Sequence, residues 1–210
     1  MSLDLVRVAV QLRAHAWVHD ARCGHAATNA NAVGIVLVLS NAGIQALCQH
    51  GRQTLIDRLQ RDTGCAGDAI TWRLLDTLPT SATAQQINAL LRAPLPRDAV
   101  LLEENQHDDT CTLTLRVPVD LAYFPGHFPQ APVLPGVVQI EWALALAAPR
   151  LGTPLRCHSM EALKFQQLLR PGDRVELRLQ HDTARGKLHF ASRRGDKTFS
   201  SGRLAWSAQA

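Results

Sequence analysis

The chain has 210 residues, 46% hydrophobic and 19% charged, with a formal net charge of +4, which is ordinary globular material sufficient for one large or two small domains. No apolar run approaches a membrane span, and the amino terminus carries Asp4 and lacks a signal-peptide core, so a cytoplasmic protein is expected. The five cysteines (Cys23, Cys48, Cys65, Cys111, Cys157) form no C-x-x-C pair, and the arginines form no basic run with interleaved aromatics, which argues against a disulfide framework, a zinc site and a nucleic-acid partner.

Residues 4 to 16 place Leu5, Val8, Leu12 and Ala16 on one side at helical spacing, which predicts a short amphipathic helix, followed by a turn at His19-Asp20. Val33 to Leu39 is apolar and rich in β-branched residues, a buried strand. Ser40-Asn41 then offers N-cap oxygens for a helix from about Ala42 to about Gln60, interrupted at Gly51. A polar turn with Gly64 and Gly67, a strand from Ala69 to Leu75, and a turn with a helix start in LPTSATAQQINALL complete a small α+β unit that Pro94 and Pro96 bring to an end. From Val100 the pattern becomes β. Strands are predicted over Val100 to Leu102, Cys111 to Val117, His158 to Leu168, Val175 to Leu179, Leu188 to Ala191 and Phe199 to Trp206, the later ones an antiparallel meander. The expected domains are residues 1–95 and 96–210, an α+β class throughout.

The chemistry is concentrated between Asp120 and Arg150, where the only formal charge is Glu141 and the only histidine is His127. Pro125, Gly126, Pro129, Pro132, Pro135 and Gly136 preclude regular structure, so His127 belongs to an ordered, Pro-stiffened loop and helix begins only after Pro135. From Gly136 to Ala148 every residue except Gln139 and Glu141 is apolar or Gly, the pattern of a buried helix. Val137, Ile140, Leu144 and Ala148 recur at spacings of three and four, and Glu141 is expected to project into the same stripe. A carboxylate taken out of water without a cationic partner favours its protonated form, which makes Glu141 a candidate proton donor. The N–H groups of Gly136 and Val137 have no intrahelical acceptor and lie at the positive end of the helix dipole, suited to a carbonyl oxygen on which negative charge grows.

The string HFPQAPVLPGVVQIE resembles the active-site segment of the hot-dog-fold 3-hydroxyacyl-[acyl carrier protein] dehydratases. The resemblance implies His127 as catalytic base, Glu141 as catalytic acid, the Gly136 N–H as the group that binds the thioester oxygen, and the Val133 carbonyl as the group that orients the histidine. Val137 and Phe128 complete the expected oxyanion and substrate-binding set. LKFQQLLRPGDRVEL (Leu163 to Leu177) resembles the family's second signature through Lys164, Phe165, Pro171, Gly172 and Asp173. The implied fold is an antiparallel sheet wrapped round a central helix over Asp98 to Trp206. An acyl carrier protein is the implied partner, no metal or organic cofactor is required, and the implied assembly is a homodimer with histidine and acid from different subunits. Gln130 stands where the family usually has Gly, and Trp142 follows the acid where a small residue is common, departures that bear on acyl length more than on chemistry. VLPGVVQ, Trp142 and the adjoining N-terminal sequence look like the dehydratases of aryl polyene pigment pathways, which implies an aromatic 3-hydroxyacyl substrate.

The N-terminal part resembles the small C-terminal subdomain of adenylate-forming ligases through RAHAWVHDARC and ITWRLLDTLPTSATAQQ. Gln85 stands at the position of the lysine those ligases use on the acyl-adenylate, and Ala84 at that of the preceding glycine. A neutral amide does not replace an ammonium facing phosphate and carboxylate. With no Gly-rich phosphate loop in view, residues 1–95 are expected to form a non-catalytic remnant or docking module. Two further readings stay open: a hot-dog thioesterase, in which the carboxylate activates water or attacks the carbonyl and His127 is largely dispensable, and a non-catalytic scaffold that binds a carrier protein or a ligase.

Overall fold

The computed structural model describes residues 4–26, 33–65 and 70–206; Gly67 and Ala69, in the expected turn and strand start, lie outside them. The chain divides into two compact units, residues 1–97 with 118–132, and residues 98–117 with 133–210. The 118–132 segment, which the sequence pattern assigns to the second domain, groups with the first.

In the first unit α1 (Leu5–Ala14) is capped by the Asp4 carboxylate, which accepts the Val6 and Arg7 N–H groups, and it buries Val8, Ala9 and Leu12. The turn expected at His19-Asp20 is instead part of β1 (Val18–His25), antiparallel to β2 (Val33–Leu39). A register shift between Val18 and Asp20 spaces its buried residues at Val18, Ala21 and Gly24, so the period of two that marks a strand is missing from the sequence. Central β2 buries six of its seven residues and also pairs in parallel with β3 (Thr71–Leu75). Between them α2 (Asn41–Thr63) starts on the Ser40 hydroxyl, breaks at Gly51 (φ 79, ψ 170) and ends at left-handed Gly64. The last helix, α3 (Ala84–Arg92), opens on a reciprocal cap between Thr83 and Gln86. Buried Arg73 of β3 ties down its other end by donating to the Leu90, Ala93 and Pro94 carbonyls.

The second unit is a six-stranded antiparallel sheet with one helix. Its elements are β4 (Val100–His107), β5 (Thr110–Arg116), α4 (Gly136–Leu151), β6 (Ser159–Phe165), β7 (Arg174–Asp182), β8 (Lys187–Arg194) and β9 (Lys197–Ala205), in the sheet order β4-β5-β7-β8-β9-β6. The expected meander holds for β7 to β9, while β6 leaves it to pair with β9 at the far edge. Alternate residues of β5 and β7, from Cys111 to Leu115 and from Val175 to Leu179, are buried, and α4 packs against these two strands. The C-terminal turn of α4 is fixed by left-handed Gly152 and by Arg150, which pairs with Glu104 at 2.8 Å while its carbonyl accepts the Gln106 amide at 3.0 Å. One long helix held on an antiparallel sheet is the hot-dog arrangement.

Candidate active site

His127 and Phe128 lie in the first unit and Val133, Gly136, Val137 and Glu141 in the second. The histidine loop has no helix or strand, as its prolines dictate, yet its backbone is hydrogen-bonded in successive tight turns. Phe124 N–H donates to the Leu121 carbonyl, Gly126 N–H to Tyr123, His127 N–H to Phe124, and Ala131 N–H to Phe128, at 3.1 to 3.2 Å. The half-buried His127 imidazole stacks on the Phe128 ring, with centroids 4.2 Å apart and planes 25° apart. Phe128 itself is 54% exposed.

The helix start matches the sequence expectation closely. Pro135 is the N-cap of α4 and supplies no side-chain acceptor; its carbonyl takes the Val138 and Gln139 N–H groups, at 3.1 and 3.2 Å. The N–H groups of Gly136 and Val137 precede these and point out of the first turn, at the positive end of the helix dipole. Val133, just upstream, is buried.

Glu141 departs from expectation. The buried residues of α4 are Val138, Gln139, Ile140, Trp142, Ala143, Leu144 and Ala147, whereas Glu141 is exposed and Val137, one turn before it, is 59% exposed. The stripe drawn through Val137, Ile140, Leu144 and Ala148 mixes two faces. Because α4 is apolar nearly all round, its sequence cannot say which side meets the sheet. Val137 and Glu141, four residues apart, share the face turned away from it. Within this chain Glu141 is therefore not a carboxylate sealed in a core.

Phe165 of β6 bears on this site as well. A Cβ built on Gly136 would fall 2.8 Å from its Cζ and 2.9 Å from Cε1, so the ring lies on the glycine at the helix start. The glycine is needed for close approach and not for backbone freedom. The second sequence signature contains Phe165, but only the fold shows the ring over Gly136. Asp120 carries no local sequence signal, yet it is 3% exposed and accepts the Arg52 Nε–H at 2.8 Å and the Leu74 N–H at 3.0 Å.

Among known proteins, a family profile described as ApeI-like, ApeI dehydratase, matches residues 103–203. The 3-hydroxyacyl-[acyl-carrier-protein] dehydratase FabZ of Rhizobium johnstonii is 34% identical over 88 residues, 39% of this chain and 57% of that protein. The FabZ dehydratase of Roseobacter denitrificans is 32% identical over 125 residues, 54% of this chain and 80% of that protein. A solved structure of the dehydratase heterocomplex ApeI:P from Xenorhabdus doucetiae aligns at 31% identity with a TM-score of 0.49, covering 51% of this chain and 96% of that one. This chain spans only about half the length of several curated relatives it matches, 57% of the Rhizobium johnstonii protein. At 32% identity across 80% of a FabZ protein, the chain belongs to the FabZ-like dehydratase family.

Proposed function

We propose that the protein dehydrates a 3-hydroxyacyl thioester carried on an acyl carrier protein, giving a trans-2-enoyl thioester and water. The single observation that carries the reading is the stretch from His127 to Glu141, inside the family match, in which a helix start with two unspent N–H groups opens one turn and a half before the carboxyl. Neutral His127 takes the α proton. The enolate oxygen that forms is held by the Gly136 N–H, seconded by that of Val137, with the Val133 carbonyl orienting the imidazole. The C3–O bond then breaks with its electron pair going to the hydroxyl, which takes a proton from Glu141 and leaves as water. Proton return from the imidazolium to the carboxylate restores the enzyme. The exposed Phe128 ring stacked on His127 offers an apolar surface to the acyl group.

The exposed Val137–Glu141 face of α4 supports a homodimer, in which a second copy covers the carboxyl and sets it against its own histidine loop. The resemblance to aryl polyene dehydratases supports an aromatic acyl group, and a cytoplasmic site of action accords with such carrier-bound synthesis. Among the described residues no helix is long and apolar enough to cross a membrane. Residues 1–95 are read as a ligase-derived module without adenylation chemistry, since the position of the ligases' lysine is held by exposed Gln85.

The test is a pair of assays on one 3-hydroxyacyl thioester, enoyl formation by absorbance and release of free thiol, for wild type, His127→Ala and Glu141→Gln. Enoyl product without thiol, falling about 10²–10⁴-fold in either variant, is the expected result. Thiol release that survives His127→Ala would identify a thioesterase, and silence on every thioester would leave the scaffold.

A further inference from the structure

We propose that the N-terminal unit is the platform that fixes the conformation of the His127 loop, with Arg52 and Asp120 as positioning residues. The chain leaves the sheet unit after Val117, and residues 118–132 belong with the N-terminal unit before the chain returns at Val133. The loop is anchored on both sides of the histidine. Val119, 3% exposed, is part of the same apolar core as Leu47, Leu55 and Leu74. Next to it the Asp120 carboxylate takes Nε of Arg52 at 2.8 Å and the Leu74 N–H at 3.0 Å, while Nη2 of Arg52 donates to the Trp72 carbonyl at 2.6 Å. A planar guanidinium thus locks α2, β3 and the loop into one register.

Two further anchors follow along the loop. Ala122 N–H donates to the Pro96 carbonyl at 2.8 Å, and the Arg97 guanidinium lies 5.6 Å from the Tyr123 ring centroid. Beyond the histidine, the break in α2 at Gly51 receives the loop's backbone: a Cβ there would stand 1.8 Å from the Pro129 oxygen and 2.7 Å from the Gln130 Cα. Residues 119–123 and 129–130 are held, and His127 is carried between them. Asp120 is 3% exposed while the Arg52 side chain is 30% exposed, so the pair holds a buried carboxylate of the loop to the rim of α2 and fixes its direction through a charge-assisted fork. The unit without adenylation chemistry thereby gains a function: it supplies the surface on which the base is fixed.

The kinetic part of this inference rests on the dehydratase reading; the structural part does not. The full-length protein is compared as wild type, Arg52→Gln, Arg52→Lys and Asp120→Asn, by amide hydrogen exchange and by dehydration kinetics. Expected are exchange about tenfold faster in residues 121–131 with β2 (35–39) accelerated much less than the loop, and a fall in kcat of about tenfold or more with KM held within about twofold. Arg52→Lys, which keeps the charge and loses the fork, should fall between Arg52→Gln and wild type. Loop protection or kcat equal to wild type in both Arg52→Gln and the isosteric Asp120→Asn would overturn the proposal. So would loss of β2 protection together with the loop in both variants, which would mark the pair as a stability element only. A wild-type protein that dehydrates nothing would sink the dehydratase reading and leave the exchange comparison to decide the platform.

Discussion

Gly136 carries two demands at once, an N–H left over by the helix and a surface on which the Phe165 ring rests. The ring atoms that a Cβ would meet are the far end of a side chain that is 48% exposed and able to swing toward solvent. Gly136→Ala is therefore expected to fold, with stability changed by less than about 1 kcal/mol. The displaced ring and the shifted thioester should nevertheless lower enoyl formation by about 10²-fold, because small misplacements at a reacting centre weigh heavily on rate. A thermal melt beside initial rates checks this. Full activity in the variant would remove the helix start from the mechanism.

At the scale of elements the break in α2 has the clearest consequence. Gly51 has a positive φ that side chains rarely adopt and a backbone oxygen within 1.8 Å of any added Cβ. Gly51→Ala should lower the stability of the N-terminal unit by about 1–3 kcal/mol, read from its urea midpoint. A midpoint within error of wild type would mean that the loop backbone does not rest on the kink. This break was legible in sequence, since a glycine inside a helical pattern is a local signal, as were the apolar run of β2 and the Pro135 start of α4. What escaped was what neighbours decide. The polar β1 is a strand only because β2 lies beside it and a bulge shifts its period, and β6 reaches the sheet edge through pairing with β9. Likewise the exposure of Glu141 is not legible, because a helix apolar on nearly every side does not declare its buried face, and Arg52 and Asp120, 68 residues apart, have no local pattern linking them.

Across the whole molecule three cysteines report on the units separately, and they contribute to its response to alkali. Cys65 is buried in the N-terminal core, with Cys23 packed against it, and Cys111 is buried in the sheet unit. Burial pushes the Cys23 thiol up to about 11, helped by nearby Cys65 and opposed by Arg13, and burial also raises Cys65 and Cys111. In the unfolded chain Cys23 returns to an ordinary value of 9.0. Between these two values the folded state holds the proton that the unfolded state has lost, so stability is intact below pH 9 and falls as pH climbs toward 11. Urea midpoints measured from pH 8 to about 11 should decline more steeply for wild type than for Cys23→Ala. The cavity left by the truncation shifts the variant's curve equally at every pH, so the difference in slope isolates the thiol. Iodoacetamide at pH 8 adds an independent reading, because the thiolate is the reactive form: Cys23 and Cys65 should become labelled together as the N-terminal core opens, and Cys111 only when β5 leaves the sheet. Parallel pH slopes in the two proteins, or Cys23 labelled well before Cys65, would show that β1 opens without its core and that Cys23 is not held by it.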